Sequence, residues 1–293
     1  MVALRTFRPH RSRWLQGVAR ITRLQNLVIL GMTQYFTAYF LVGVHQSRRA
    51  YLTDGRLGLL VTSTVLIAAA GYIINDYYDV KIDLINRPRQ VVVGTVLKRR
   101  IALASHVLLS TVGIAMGFYL SKKVGAIHLG SVFLLWLYSN QLKRFPLVGN
   151  LSVALLSGLA IAVIALYYQQ EQFLVFTYAL FAFAVSLIRE IIKDLEDQRG
   201  DETFGCKTLP VVLGVRRTKD ILYGLSGFFI FIMFFMAGQL GNTTLVAYFA
   251  LLVIPIAYFI TKLVYADTQD DFAYLSNFCK LLMLSGIVSM IFF

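Results

Sequence analysis

Charge is what this chain has least of. Only 15% of its 293 residues are Asp, Glu, Lys or Arg, against about 25% in an ordinary soluble domain, and mean hydropathy is +0.68. Residues 57–74 and 221–240 contain no charged side chain, and in 101–120 only His106 can carry charge near neutral pH. Runs of this kind reach the roughly 18–20 residues that cross the hydrocarbon as a helix. A soluble globular domain is excluded, and an all-α polytopic membrane protein is implied. Cysteine is also scarce. Cys206 and Cys279 stand alone, without metal-ligand spacing, which excludes a disulfide framework and a thiolate metal site. A cleavable signal peptide is not expected, because the opening "MVALRTFRPHRSRWLQGVARITR" lacks both a sustained apolar stretch and a small-residue cleavage site. Residues 1–23 read instead as a basic cytoplasmic segment lying on an anionic membrane surface.

What is there is hydrophobic length with punctuation. Hydropathy places nine transmembrane helices near 24–44, 57–75, 101–120, 124–139, 148–169, 172–190, 220–239, 244–263 and 273–293. With the N-terminus inside, the inner segments hold 23 of the 28 Lys and Arg residues; the outer ones hold only Arg48, Arg49, Arg56, Lys122 and Lys123. This asymmetry predicts a cytoplasmic N-terminus, an outside C-terminus and a multi-pass protein of the cell inner or plasma membrane, forming one domain over 1–293. The net charge of +13 then reads as topology and attraction to anionic lipid, not as a nucleic-acid footprint. No obligatory protein partner is implied. Two inner segments, 76–100 after the second helix and 191–219 after the sixth, are expected to be partly helical loops that form the active site.

Each of these segments opens on carboxylates. In "NDYYDVKIDLINRP", residues 75–88, Asp76, Asp79 and Asp83 fall at i, i+3 and i+7. At about 100° per residue they share one helix face, with Asn75 at its margin. In "KDLEDQRGD", residues 193–201, Asp194, Asp197 and Asp201 repeat the spacing 118 residues later, with Lys193 in the place of Asn75. Gly200 is expected to fray the second helix before Asp201. Hard oxygen donors in this arrangement suit Mg²⁺, which is commonly held by a few carboxylates together with substrate phosphates. Two facing sets would clamp a diphosphate. Two other readings stay open on the residues alone: solvated helix ends, and a cation or proton path through the membrane. The span middles carry almost no charge, which speaks against the path.

Basic residues around these clusters are suited to phosphate oxygens. They are Arg87 and Arg89 in "NRPRQ", Lys143 and Arg144 in "YSNQLKRFP", and Lys207 in "GCKTLP". Arg23 and Asn26, where the first span begins, are placed to line the same cavity.

The paired motifs within nine spans resemble those of the UbiA superfamily of intramembrane prenyltransferases. "NDYYDVKID" matches that family's NDxxDxxxD motif and "DLEDQRGD" its second, Asp-rich one. The resemblance implies helices around a central cavity and Mg²⁺-dependent transfer of a polyprenyl group from its diphosphate to a lipophilic acceptor. It implies Asn75, Asp76, Asp79, Asp83, Asp194, Asp197 and Asp201 as metal ligands, with Asp79, Asp197, Asp201 and Lys143 in catalysis. Arg23, Asn26, Arg87, Tyr138, Lys143, Arg144, Lys193 and Lys207 would bind substrate. "INRP", followed by "REIIKDLEDQRGDETFGCKTLP", is similar to the branch that prenylates geranylgeranylglyceryl phosphate, although Val91–Val93 stands where that branch commonly has a second proline. An aromatic acceptor such as a hydroxybenzoate or naphthoate is the runner-up, and a transporter the distant alternative.

Overall fold

The computed structural model describes residues 11–45 and 48–293, so the first ten residues of the basic N-terminal segment lie outside it, as does the side chain of Arg89. Helix α1 (Arg11–Ile21) precedes α2 (Leu24–Phe36), which runs on through a π-turn (Thr37–Leu41) and a 3₁₀ turn (Val42–His45). A short α3 (Arg48–Leu52) leads to the long α4 (Gly55–Asn86), then α5 (Arg99–Leu120), α6 (Lys122–Asn140) and α7 (Val148–Tyr168). Four more complete the chain: α8 (Gln172–Thr203), α9 (Leu209–Leu240), α10 (Thr243–Tyr265) and α11 (Gln269–Ser289). Among the described residues there is no strand, only an isolated bridge between Val93 and Leu97.

Caps written in the sequence set several of the boundaries. Asp54 accepts the Arg56 N–H to start α4, Ser121 accepts that of Val124 to start α6, and Thr268 with Asp271 forms a capping box at α11. Inside α9, Gly214 takes φ 80°, a left-handed backbone that favours glycine, and kinks the helix before its apolar stretch.

Among the described residues, seven helices are long and apolar enough to cross a membrane: α4, α5, α7, α8, α9, α10 and α11. The expected spans at 24–44 and 124–139 do not reach that standard. Thr37 Oγ1 donates to the Thr33 carbonyl where α2 gives way to the π-turn, so the α-helix there is only 13 residues. Helix α6 is diluted by Lys122, Lys123 and His128.

A second difference concerns the acidic segments. They do not begin loops: α4 continues to Asn86 and α8 to Thr203, each 32 residues. At 1.5 Å per residue each is about 48 Å long, well over the roughly 30 Å of hydrocarbon. The carboxylates therefore stand on rigid helix extensions, and Gly200 lies inside an unbroken helix.

Helix α8 is the central post, packed against α4, α7, α9 and α11, with Val175, Ile191 and Ile192 fully buried. The outer faces are apolar as well: Phe228, Phe231 and Phe235 are exposed on α9 and stack on one another, as suits a lipid-facing surface.

Candidate active site

The ends of α4 and α8 are tied side by side. Asn86 Nδ2 donates to the Asp197 carbonyl at 3.1 Å, and the Gly200 N–H donates to Asn86 Oδ1 at 2.9 Å. A Cβ at position 200 would collide with that amide, so glycine permits the close approach. One residue on, Arg87 Nη2 reaches Glu196 at 2.8 Å and both oxygens of Asp197 at 3.0 and 3.1 Å. The two acidic stripes thus face each other over a small polar cavity of about 70 Å³.

Neighbouring helices contribute the rest of its wall. Lys143, in the turn after α6, is ion-paired with Asp79. Asn150 on α7 donates to Asp194 Oδ2 at 2.8 Å. The Cys206 N–H, from the loop after α8, bonds to the Asp201 carbonyl at 2.9 Å. The Cys206 thiol is pushed up in pKa, first by burial and then by the Asp201 charge, so it remains a neutral thiol beside the carboxylates. Arg23 has an unusual backbone: φ is 50°, left-handed, at the break between α1 and α2. A non-glycine residue held there costs roughly 1–3 kcal/mol. Its guanidinium lies 4.8 Å from the centre of the Tyr72 ring and 3.4 Å from Asp76. The kink thereby turns a cation into the site.

Of the residues singled out from sequence, Arg23, Asn75, Asp79, Asp83, Arg87, Tyr138, Lys143, Lys193, Asp194, Asp197 and Asp201 line this cavity. Four do not. Asp76 is turned to Arg23, and Asn26 lines the neighbouring apolar cavity. Arg144 and Lys207 are exposed and meet through the backbone, the Lys207 N–H donating to the Arg144 carbonyl at 2.8 Å. Sequence reasoning missed Asn86, Asn150, Glu190 and Thr208, which also line the polar cavity. Asn86 and Glu190 had a signal, since each lies seven residues from a stripe member, Asp79 and Asp197 respectively. Asn150 and Thr208 had none.

The donor set suits a hard cation. Among the described residues no three His, Cys, Asp or Glu side chains converge on one point, so no closed protein cage exists. Open, oxygen-rich walls of this kind match Mg²⁺, which keeps several waters and shares its shell with phosphates. The buried Oδ1 of Asn75 has no hydrogen-bond partner among the described residues, and Asn75 lines this cavity, which leaves the oxygen free for a metal or its water.

A larger, mostly apolar cavity of about 360 Å³ adjoins the polar one. The two share Arg23, Asn75, Tyr138, Glu190 and Lys193. From there it runs between Ile67, Leu135, Leu156, Phe181, Met233 and Ile256. A charged head held among carboxylates and cations, with a long apolar tail shielded from water, fits this pair of cavities.

Comparison with known proteins agrees with that geometry. The profile of the UbiA prenyltransferase family matches residues 35–284. The digeranylgeranylglyceryl phosphate synthase of Thermococcus gammatolerans is 36% identical over 215 residues, covering 71% of this chain and 72% of its own. The same enzyme of Methanoregula boonei is 34% identical, covering 73% and 74%. A solved structure from work on digeranylgeranylglyceryl phosphate synthase in membranes superposes with a TM-score of 0.71 at 19% identity, over 95% of this chain and 98% of that one. A UbiA homologue from Archaeoglobus fulgidus bound to DMAPP and Mg²⁺ gives 0.66 at 16% identity, over 93% and 98%.

Proposed function

Because the chain belongs to the UbiA prenyltransferase family, we propose that it transfers a geranylgeranyl group from its diphosphate to geranylgeranylglyceryl phosphate or a similar glycerol phosphate ether. The observation that carries this reading is the facing of two carboxylate stripes across α4 and α8, at the mouth of an apolar cavity. The acceptor class follows the curated relatives, which are digeranylgeranylglyceryl phosphate synthases.

Asn75, Asp79 and Asp83 on one wall and Asp194, Asp197 and Asp201 on the other would hold Mg²⁺. When bound, the metal supplies positive charge for the departing diphosphate. Lys143, Arg87 and Arg23 are set around the same space to bind diphosphate oxygens. The bond between C1 and its bridging oxygen breaks, with the electron pair leaving on diphosphate. The acceptor oxygen then bonds to C1, and its proton passes to the released diphosphate or to solvent. Apolar walls from Ile67 to Ile256 keep water from the allylic cation. Asp76, ion-paired with Arg23 through Oδ1, completes the metal-binding stripe of α4 in this reading and steadies that guanidinium beside it.

The topology proposed with this reading has nine membrane segments, α2 with its π-turn and α6 completing the seven long ones, with the N-terminus and the site cytoplasmic. The test is an acceptor profile. Labelled geranylgeranyl diphosphate is offered with the glyceryl phosphate ether, a hydroxybenzoate and a naphthoate. Product on the glyceryl ether is expected; product on an aromatic acceptor alone would overturn the assignment.

A further inference from the structure

The polar cavity leaves a second group of cations unexplained. Arg189 and Lys193 stand one turn apart on α8, and Lys280 sits in α11, which packs against α8. Beyond its first turn, α11 has no other charged residue. An ionisable side chain within a membrane helix costs about 2.5–3.5 kcal/mol on insertion scales and marks function by default. Lys280 lines the same apolar cavity as Arg189, Lys193 and Arg23, and the nearby Glu190 is paired with Arg189.

Lys193 faces the carboxylates of the polar cavity, whereas Arg189 and Lys280 are incompletely matched by the chain's own acids. Arg189 pairs through Nη1 with Glu190, while its Nε is buried with no partner among the described residues. Lys280 Nζ donates to the neutral Asn277 amide at 3.0 Å. A buried guanidinium N–H without an acceptor is costly, and an anion in the cavity would supply the acceptor that Arg189 Nε lacks. Position separates these cations from the diphosphate clamp. Arg189 and Lys280 line the apolar cavity and not the polar one, whereas Lys193 lines both.

We infer that Arg189, Lys193 and Lys280 form a second anion site, which takes the phosphate monoester of the lipophilic acceptor. A planar guanidinium and two ammonium groups suit a dianionic phosphate, and the adjoining apolar wall suits the acceptor's ether-linked chain. Lys193, shared by the two cavities, places that phosphate beside the diphosphate and brings the acceptor hydroxyl toward C1. The inference rests on the glyceryl phosphate reading above and names where that acceptor's head is held.

The test uses purified protein in detergent, with KM measured separately for geranylgeranyl diphosphate and for geranylgeranylglyceryl phosphate. Lys280→Met removes a charge from a membrane helix, so it is expected to insert at least as well as the parent. Loss of a charge-assisted contact predicts a rise in acceptor KM of about ten- to hundredfold, with the diphosphate KM changed less than about threefold. Lys280→Arg is expected to restore the acceptor KM. The parent's preference for the phosphorylated acceptor over geranylgeranylglycerol should shrink in Lys280→Met and in Arg189→Gln. Phosphatidylglycerol added to a parallel series separates the two sources of phosphate. If Lys280 matters only when that lipid is present, the site serves a bilayer headgroup and the inference is overturned. An unchanged acceptor KM, or equal rises for both substrates, also overturns it while the glyceryl phosphate reading stands. A parent enzyme with no activity on the glyceryl ether would overturn both.

Discussion

The side-chain amide of Asn86 bonds the backbone at both Asp197 and Gly200, donating to the first and accepting from the second, at 3.1 and 2.9 Å. One residue of α4 thus sets the height and distance at which the two acidic stripes meet. Gly200→Ala places a methyl group where that amide sits. Overpacking of this kind typically costs about 1–3 kcal/mol, and a tenfold or greater loss of turnover is expected with it. In an Asn86→Ala background the collision is gone, so adding Gly200→Ala should cost at least about 1 kcal/mol less than it does alone. Thermal unfolding and turnover of the four proteins measure this. Simple additivity would mean that the two helices are not held together by this contact.

Arg87 neutralises Glu196 and Asp197 together. Arg87→Gln leaves more negative charge at the metal-facing carboxylates and one cation fewer for the diphosphate. The metal and the diphosphate substrate should therefore respond in opposite directions. Half-maximal activity is expected at lower Mg²⁺, while the diphosphate KM rises about tenfold or more. A higher Mg²⁺ requirement would show instead that Arg87 acts only by orienting Asp197.

The left-handed backbone of Arg23 separates its conformational cost from its charge. Glycine adopts that backbone freely, whereas alanine does not. Arg23→Gly should thus unfold at a higher temperature than Arg23→Ala, by the equivalent of about 1 kcal/mol. Both should lose prenyl transfer to a similar degree, since both lack the guanidinium. Retained activity in Arg23→Gly would remove Arg23 from substrate binding.

The stripes 76, 79, 83 and 194, 197, 201 were legible because i, i+3, i+7 spacing is a property of one helix and needs no tertiary knowledge. Asn86 and Glu190 extend those stripes by whole turns, but an amide and a glutamate lie outside the Asp pattern that marks the two motifs. Asn150 could not be read at all: only the packing of α7 on α8 brings it to Asp194. The same applies to Arg144 and Lys207, whose loops turn their side chains outward. Hydropathy located the long apolar helices, but it could not show that α4 and α8 run on past the membrane as helix. Continued helix needs backbone partners, and here the crossed bonds of Asn86 and Arg87 brace both ends.

The claim on which the rest depends is that the two stripes are halves of one Mg²⁺–diphosphate clamp. Transfer of labelled geranylgeranyl diphosphate by Asp79→Asn and by Asp197→Asn, assayed with Mg²⁺ and with EDTA, tests it directly. Each substitution keeps the shape of its side chain and removes the charge. Turnover with Mg²⁺ should fall at least about a hundredfold in both variants, and EDTA should abolish it in the parent, while all three proteins insert and purify alike. Parental turnover in either variant, or turnover that survives EDTA, would contradict the clamp.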